Sequence, residues 1–215
     1  MMRHKMKSHC LTSLLTLLTL LCPTTLWADV DYWAESYRLE SLTQYGAAIK
    51  SMDAILKKDS GNEFAVLRHG WLSYLQGDHS AAITDYKKAM KLNKQSLDAK
   101  LGIMLPLLAQ QRWHEAASYA NTVLKVAPWN YYAHLRLMIT EEGSRQWDTL
   151  ATHAKKVHQR YPSETDALVY MARAYRWLND TKSARKAYKK VLERFPSHIE
   201  ATQFIIGNSA PPMNR

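Results

Sequence analysis

Beyond Asp29 the apolar residues recur at intervals of three and four, the spacing that gathers them on one face of an α-helix. The pattern is broken at regular intervals. Short polar breaks such as Gln76-Gly77-Asp78-His79 and Leu178-Asn179-Asp180-Thr181 separate paired helical stretches. Firmer stops follow each pair at Asp59-Ser60-Gly61, Ala127-Pro128, Tyr161-Pro162 and Phe195-Pro196, where proline cannot continue a helix. The expected unit is therefore a helix, a tight turn and a second helix.

The unit repeats. Pro128, Pro162 and Pro196 are each 34 residues apart, and from Asp29 the chain divides into five frames without insertion or deletion: 29–62, 63–96, 97–130, 131–164 and 165–198. The twentieth place of the frames holds Ala48, Ala82, Ala116, Leu150 and Ala184, and the twenty-seventh holds Ile55, Ala89, Val123, Val157 and Val191. The seventeenth holds Tyr45, His79, Trp113, Trp147 and Thr181.

These positions resemble the tetratricopeptide repeat (TPR) family. The second frame carries the resemblance most clearly, through Gly70, Tyr74, Gly77-Asp78, Ala82-Ile83, Tyr86, Ala89 and Leu92. The fifth follows with Ala172, Tyr175, Asn179-Asp180, Ala184, Tyr188 and Phe195-Pro196. The resemblance implies an all-α, right-handed α-solenoid of five 34-residue helix-turn-helix repeats. Ile199-Glu200-Ala201-Thr202-Gln203-Phe204-Ile205-Ile206 reads as a helix within 199–207 that caps the last repeat, followed by a flexible tail over 208–215.

Departures from the family pattern follow a volume rule. Frames two and five pair a small residue at the eighth place (Gly70, Ala172) with tyrosine at the twenty-fourth (Tyr86, Tyr188). Frames three and four invert this, with Met104 and Met138 at the eighth place and Ala120 and Ala154 at the twenty-fourth. Because close-packed cores conserve volume, both methionines are expected inside, filling the space that tyrosines fill elsewhere. Pro106, within the first helix of frame three, is expected to kink or break that helix.

The N-terminus has a different pattern. Arg3, Lys5 and Lys7 precede an apolar stretch from Cys10 to Leu21, and Leu26-Trp27-Ala28 ends the segment. Residues 1–28 thus read as a secretory signal peptide cleaved after Ala28, which places the mature protein in a periplasm. Retention as a short membrane anchor is the alternative. Both cysteines, Cys10 and Cys22, lie in this segment, so the mature chain would hold no disulfide and no thiolate ligand. The formal charge of +10 falls to +7 with the removal of three basic residues, 26 remaining against 19 acidic ones.

Chemistry is sparse. Phosphate-binding glycine loops and nucleophile elbows are absent, and His114-Glu115 lacks a second histidine four residues after His114. No cofactor, metal or catalytic residue is expected, and the protein reads as a non-enzyme. Basic residues cluster on second helices as Lys87, Lys88 and Lys91, as Lys155, Lys156 and Arg160, and from Lys182 to Arg194. They read as an outward solvated face, with weak contact to an anionic membrane surface as a sharper alternative. An exported protein is not expected to meet nucleic acid.

In TPR proteins, places two, five, six, nine, twelve and thirteen of each first helix line the concave groove. The resemblance thus assigns partner binding to Trp33, Tyr37, Arg68, Trp71, Tyr74, Tyr132, Arg136, Tyr170, Arg173, Arg176 and Trp177. Phe64 belongs to the same stripe, with Leu101, Leu105 and Leu108 at its middle. Aromatics with arginine are the types enriched at binding hot spots. The expected function is an exported, non-catalytic scaffold that holds a protein or peptide partner, in envelope assembly, secretion or polysaccharide export. A glycan-binding accessory of polysaccharide export, stacking sugars on the same aromatics, is the alternative.

Overall fold

A computed structural model describes residues 30–207. The expected leader with its cleavage edge at Ala28, and the tail over 208–215, lie outside the described residues. From Asp31 onward the chain forms one unit of α-helices, with no strand among the described residues. Helices α1 (Tyr32–Ser41) and α2 (Tyr45–Lys58) fall in the first frame, and α3 (Glu63–Gln76) and α4 (His79–Leu92) in the second. The third holds α5 (Leu97–Ala109) and α6 (Trp113–Val126), and the fourth α7 (Tyr131–Gly143) and α8 (Trp147–Arg160). Helices α9 (Asp166–Trp177) and α10 (Thr181–Arg194) form the fifth pair, and α11 (Ile199–Ile205) closes the series. Each helix packs on its neighbours in sequence, and α3, α5, α7 and α9 also meet in succession, which is the contact pattern of a solenoid. No described helix is long and apolar enough to cross a membrane.

The repeats keep close register. All five second helices are 14 residues long, from the seventeenth to the thirtieth place of the frame. Side-chain caps mark the start of four of the five first helices and of α11, α9 after Thr165 being the exception. Asn62, Ser96, Asn130 and His198 each accept the amide of the residue three further on, and Asp31 accepts those of Trp33 and Ala34. Within each pair the chain reverses through a left-handed residue at the fifteenth place: Thr43, Gly77, Gln111, Arg145 and Asn179. Glycine adopts that conformation without strain, and asparagine tolerates it better than most side chains.

The small residues at the twentieth place are fully buried in every repeat, as is Leu150 in repeat four. Met104 and Met138 are buried as their volumes predict, beside the equally buried Ala120 and Ala154. Two glycines permit closer contacts between repeats. A Cβ on Gly102 would come within 2.2 Å of the Tyr86 ring, and one on Gly143 within 2.7 Å of Trp113. Both glycines sit where a bulky side chain of the preceding repeat lies flat against a first helix.

Of the kink or break expected at Pro106, the break does not occur. Helix α5 runs unbroken through it to Ala109, and Pro106 is buried. It stands three residues before the helix ends, so its missing N–H costs one bond near the final turn. Its own carbonyl still accepts from Gln110 at 3.1 Å. At the other end, α11 covers repeat five: the Phe204 ring lies 4.8 Å from that of Tyr188, whose hydroxyl donates to Glu200 at 2.5 Å.

Candidate functional site

The groove-lining residues fall into three groups with different surroundings. The first lies on α1 and α3. Tyr37 and Phe64 are half exposed, and Trp33 stacks on Phe64 with ring centroids 5.1 Å apart. Arg68 is 6% exposed, and its guanidinium lies 3.4 Å from the centre of the Tyr37 ring. It donates to Ser36 Oγ at 2.6 Å and to Glu40 at 2.9 Å. The other oxygen of Glu40 accepts the indole N–H of Trp71 at 2.7 Å, and Tyr74 lies 5.7 Å beyond Trp71.

Two adjoining hollows open on this group, and both are bordered by Tyr37, Arg68 and Trp71. The larger, about 640 Å³, extends to Glu40, Tyr45 and Leu75; the smaller, about 220 Å³, to Phe64, Leu67 and Asp98. One carboxylate therefore fixes an arginine and a tryptophan at once and leaves aromatic edges facing an open cradle.

The second group lies mid-groove. Tyr132 is 59% exposed, and Arg136 sits 5.9 Å from its ring. Arg136 donates back to the carbonyl of Leu101 in the preceding repeat. Burial pulls its pKa below that of a free guanidinium, against the opposing influence of Tyr86, Tyr74 and Tyr132.

The third group is internally engaged. Arg173 donates to Glu200 at 2.7 Å and lies 3.4 Å from Glu142, so it joins repeat four to the capping helix. Burial pulls the Glu200 pKa up, but hydrogen bonds from Arg173 and Tyr188 outweigh it and hold the carboxyl below its ordinary value. Glu142 moves the other way, because burial outweighs the attraction of Arg173. The Tyr170 hydroxyl is pushed up to about 12 by burial and by Glu142. Arg176 lies 5.9 Å from the Phe204 ring. Trp177 stacks face to face on Trp147, with centroids 4.9 Å apart and planes 5° off parallel.

Thus Tyr37, Phe64, Trp71 and Tyr132 present accessible surface, while Arg68, Arg136 and Arg173 connect consecutive first helices. Trp177 packs between repeats, its partner standing at the seventeenth place of the repeat before, just as Trp113 lies on Gly143. Sequence reasoning missed Glu40, Glu142 and Glu200 as organisers of the groove. The signal was there, since Glu40 and Glu142 stand at the twelfth place, one of the groove-lining places. Among the described residues no group of three His, Cys, Asp or Glu side chains is gathered to hold a metal.

Family models described as tetratricopeptide repeat match residues 65–96 and 166–198, the second and fifth frames. The paired helices there and in the frames between repeat the same architecture. The chain is a tetratricopeptide-repeat protein. Its repeats are 26% identical over 138 residues to BBSome complex member bbs-4 of Caenorhabditis elegans, a match covering 64% of this chain and 30% of that protein. The chain thus corresponds to less than a third of that relative. Among solved structures it is similar to MamA from Desulfovibrio magneticus RS-1, with a TM-score of 0.71, 20% identity, and 78% and 95% of the two chains covered. It is also similar to YrrB, described as a TPR protein with an unusual peptide-binding site, with a TM-score of 0.65, 17% identity, and 80% and 89% covered. At these identities the likeness shows the TPR fold. TPR repeats make the chain a protein-interaction scaffold, a family role that is generally not catalytic.

Proposed function

We propose that the groove of repeats one to three holds a peptide segment of a protein partner, gripped at the cradle between α1 and α3. The observation that carries this reading is the pair of adjoining hollows that share Tyr37, Arg68 and Trp71, with Tyr37 and Phe64 half exposed at their rim. Arg68 and Glu40 already satisfy each other, so the cradle is rigid before a partner arrives, which lowers the ordering cost of binding. Tyr132, 59% exposed at the start of α7, offers a further aromatic surface in repeat four. Broad aromatic faces are partly taken, Trp33 by Phe64, Trp177 by Trp147 and Tyr37 by Arg68, which favours side chains of a peptide over stacked sugar rings.

We further propose that the protein works in a periplasm, on the strength of the charged start and apolar stretch within residues 1–28. An N-terminus at Asp29 on the protein recovered from that compartment is the expected result, and an intact Met1 there would overturn cleavage.

Selection from a phage-displayed peptide library tests the groove. Enriched peptides are expected to carry apolar or aromatic anchors. Tyr37→Ala with Phe64→Ala should weaken them at least about tenfold, the scale of one hot-spot truncation, with the helical circular dichroism unchanged. Trp177→Ala should instead lower the melting temperature and leave peptide affinity near the parent value. Undiminished binding by the Tyr37/Phe64 variant would remove the groove reading.

A further inference from the structure

A second site lies on the side of the second helices, between repeats four and five. A hollow of about 440 Å³ opens there between α8 and α10, with α9 as its floor. What sets its chemistry apart is visible when the repeats are compared place by place. At the twenty-third place, repeats two, three and four carry Asp85, Tyr119 and His153, whereas repeat five carries Ala187. In the junction of repeats one and two, Asp85 pairs with His69 at 2.7 Å, and Asp53 of repeat one lies 3.4 Å from the same ring. Within repeat four, His153 pairs with Glu141 at 2.9 Å and with His134 at 2.9 Å. The equivalent hollow between repeats three and four, about 610 Å³, is bordered by the carboxylates of Glu141 and Asp148. Repeat five presents only the methyl of Ala187 at this place, beside Met171 and Tyr175.

Three lysines surround that space: Lys155 from α8, and Lys186 and Lys190 one turn apart on α10. No carboxylate borders it. His158 also lines it, and its Nδ1 is buried without a hydrogen-bond partner. Burial lowers the His158 pKa, and Lys190 and Arg194 lower it further, as expected where positive charge is not balanced. Ser183 adds a hydroxyl at the rim.

We propose that this hollow binds a phosphate monoester, with the lysines around the phosphoryl group and the organic part over Met171 and Tyr175. A monoester carries close to two negative charges at neutral pH and offers several strong acceptor oxygens. Lysine ammonium groups are compact point charges with three donors each, suited to a dianion that several of them surround. His158 and Ser183 supply directional hydrogen bonds, and the apolar floor gives the ester's substituent a reason to stay. These residues are separate from the groove, so the proposal stands or falls independently of the peptide reading.

The test follows the ring resonances of His158 in the whole mature protein, near physiological salt, where exposed charges beyond about 8 Å are screened. Glycerol 3-phosphate is titrated as a soluble ester, and vesicles of phosphatidylcholine with phosphatidic acid as a membrane-borne one. Two variants with the same loss of charge are compared. One replaces the hollow's lysines (Lys155→Gln, Lys186→Gln, Lys190→Gln); the other replaces exposed lysines on α4 (Lys87→Gln, Lys88→Gln, Lys91→Gln). The expected result is a saturable shift at His158 and not at His114, weakened at least about thirtyfold in the first variant and less than about threefold in the second. Saturation by the soluble ester identifies a free phosphorylated ligand, and binding confined to the vesicles with the same variant pattern identifies a lipid headgroup. Equal weakening in both variants, or no shift at His158 with either ligand at millimolar concentration, would overturn the proposal.

Discussion

At the residue scale, the same amino acid does opposite things depending on what faces it. Gly46 has only ordinary van der Waals space around its missing Cβ, the nearest atom being 3.7 Å away on Gln76. It lies inside α2, so Gly46→Ala should stabilise by up to about 1 kcal/mol through helix propensity. Gly102→Ala and Gly143→Ala should each cost about 1–3 kcal/mol or more, because rings rather than flexible chain ends occupy the space. Urea melts of the three variants measure this, and a neutral Gly102→Ala would show that Tyr86 moves aside freely. His69 provides a pH dependence. Its hydrogen bond to Asp85 raises its pKa against a desolvation penalty, with Asp53 adding attraction. A raised folded-state pKa means that the stabilisation is complete below the unfolded value near ~6.5 and fades as pH rises through the folded one. His69→Gln should therefore lower the melting temperature more at pH 6 than at pH 9. An equal loss at both would assign His69 a packing role alone.

At the scale of the element, turns and caps explain where sequence reasoning succeeded. The helix pairs were legible because period, proline stops and polar breaks coincide in every frame. The left-handed residue at the fifteenth place was legible in repeats two and five, where it is Gly77 and Asn179. Thr43, Gln111 and Arg145 hide the same conformation behind side chains that do not favour it. Gln111→Gly should relieve that strain and stabilise by about 0.5–1 kcal/mol, net of the added freedom of the unfolded chain. Gly77→Ala should destabilise by a comparable amount, because Gly77 has φ of 90°. Thermal melts of both variants check the pair, and two changes of the same sign would refute the assignment. Pro106 leaves α5 continuous because it stands three residues from the helix end, where its missing N–H costs one bond.

At the scale of the molecule, the groove was half legible. Its aromatic stripe could be read from the frame, but the roles of its arginines could not. Arg68, Arg136 and Arg173 find their partners 27 to 35 residues away in another repeat or the capping helix, and such pairs exist only once these elements stack. Trp177 was similarly opaque, since its face is covered by Trp147 of the repeat before. The capping helix permits a prediction at this scale. In a solenoid each repeat is stabilised mainly by its neighbours. Deleting residues 199–215 removes Glu200 and Phe204 from Arg173 and Tyr188. Amide exchange should then accelerate in α9 and α10 while α3 to α5 stay protected. Uniform acceleration throughout would mean that the repeats unfold as a single cooperative block.

The contact of Tyr86 with Gly102 has a consequence for how such a chain can be edited. Every frame has the same length, so any block of 34 could be cut out or copied without shifting a helix boundary. The blocks are nonetheless not interchangeable. Excising the third would bring Arg136, which occupies the same place in its frame as Gly102, up to the Tyr86 ring, where not even a Cβ fits. Length is free to vary by whole units, whereas the order of units is locked by which neighbour leaves room for the other.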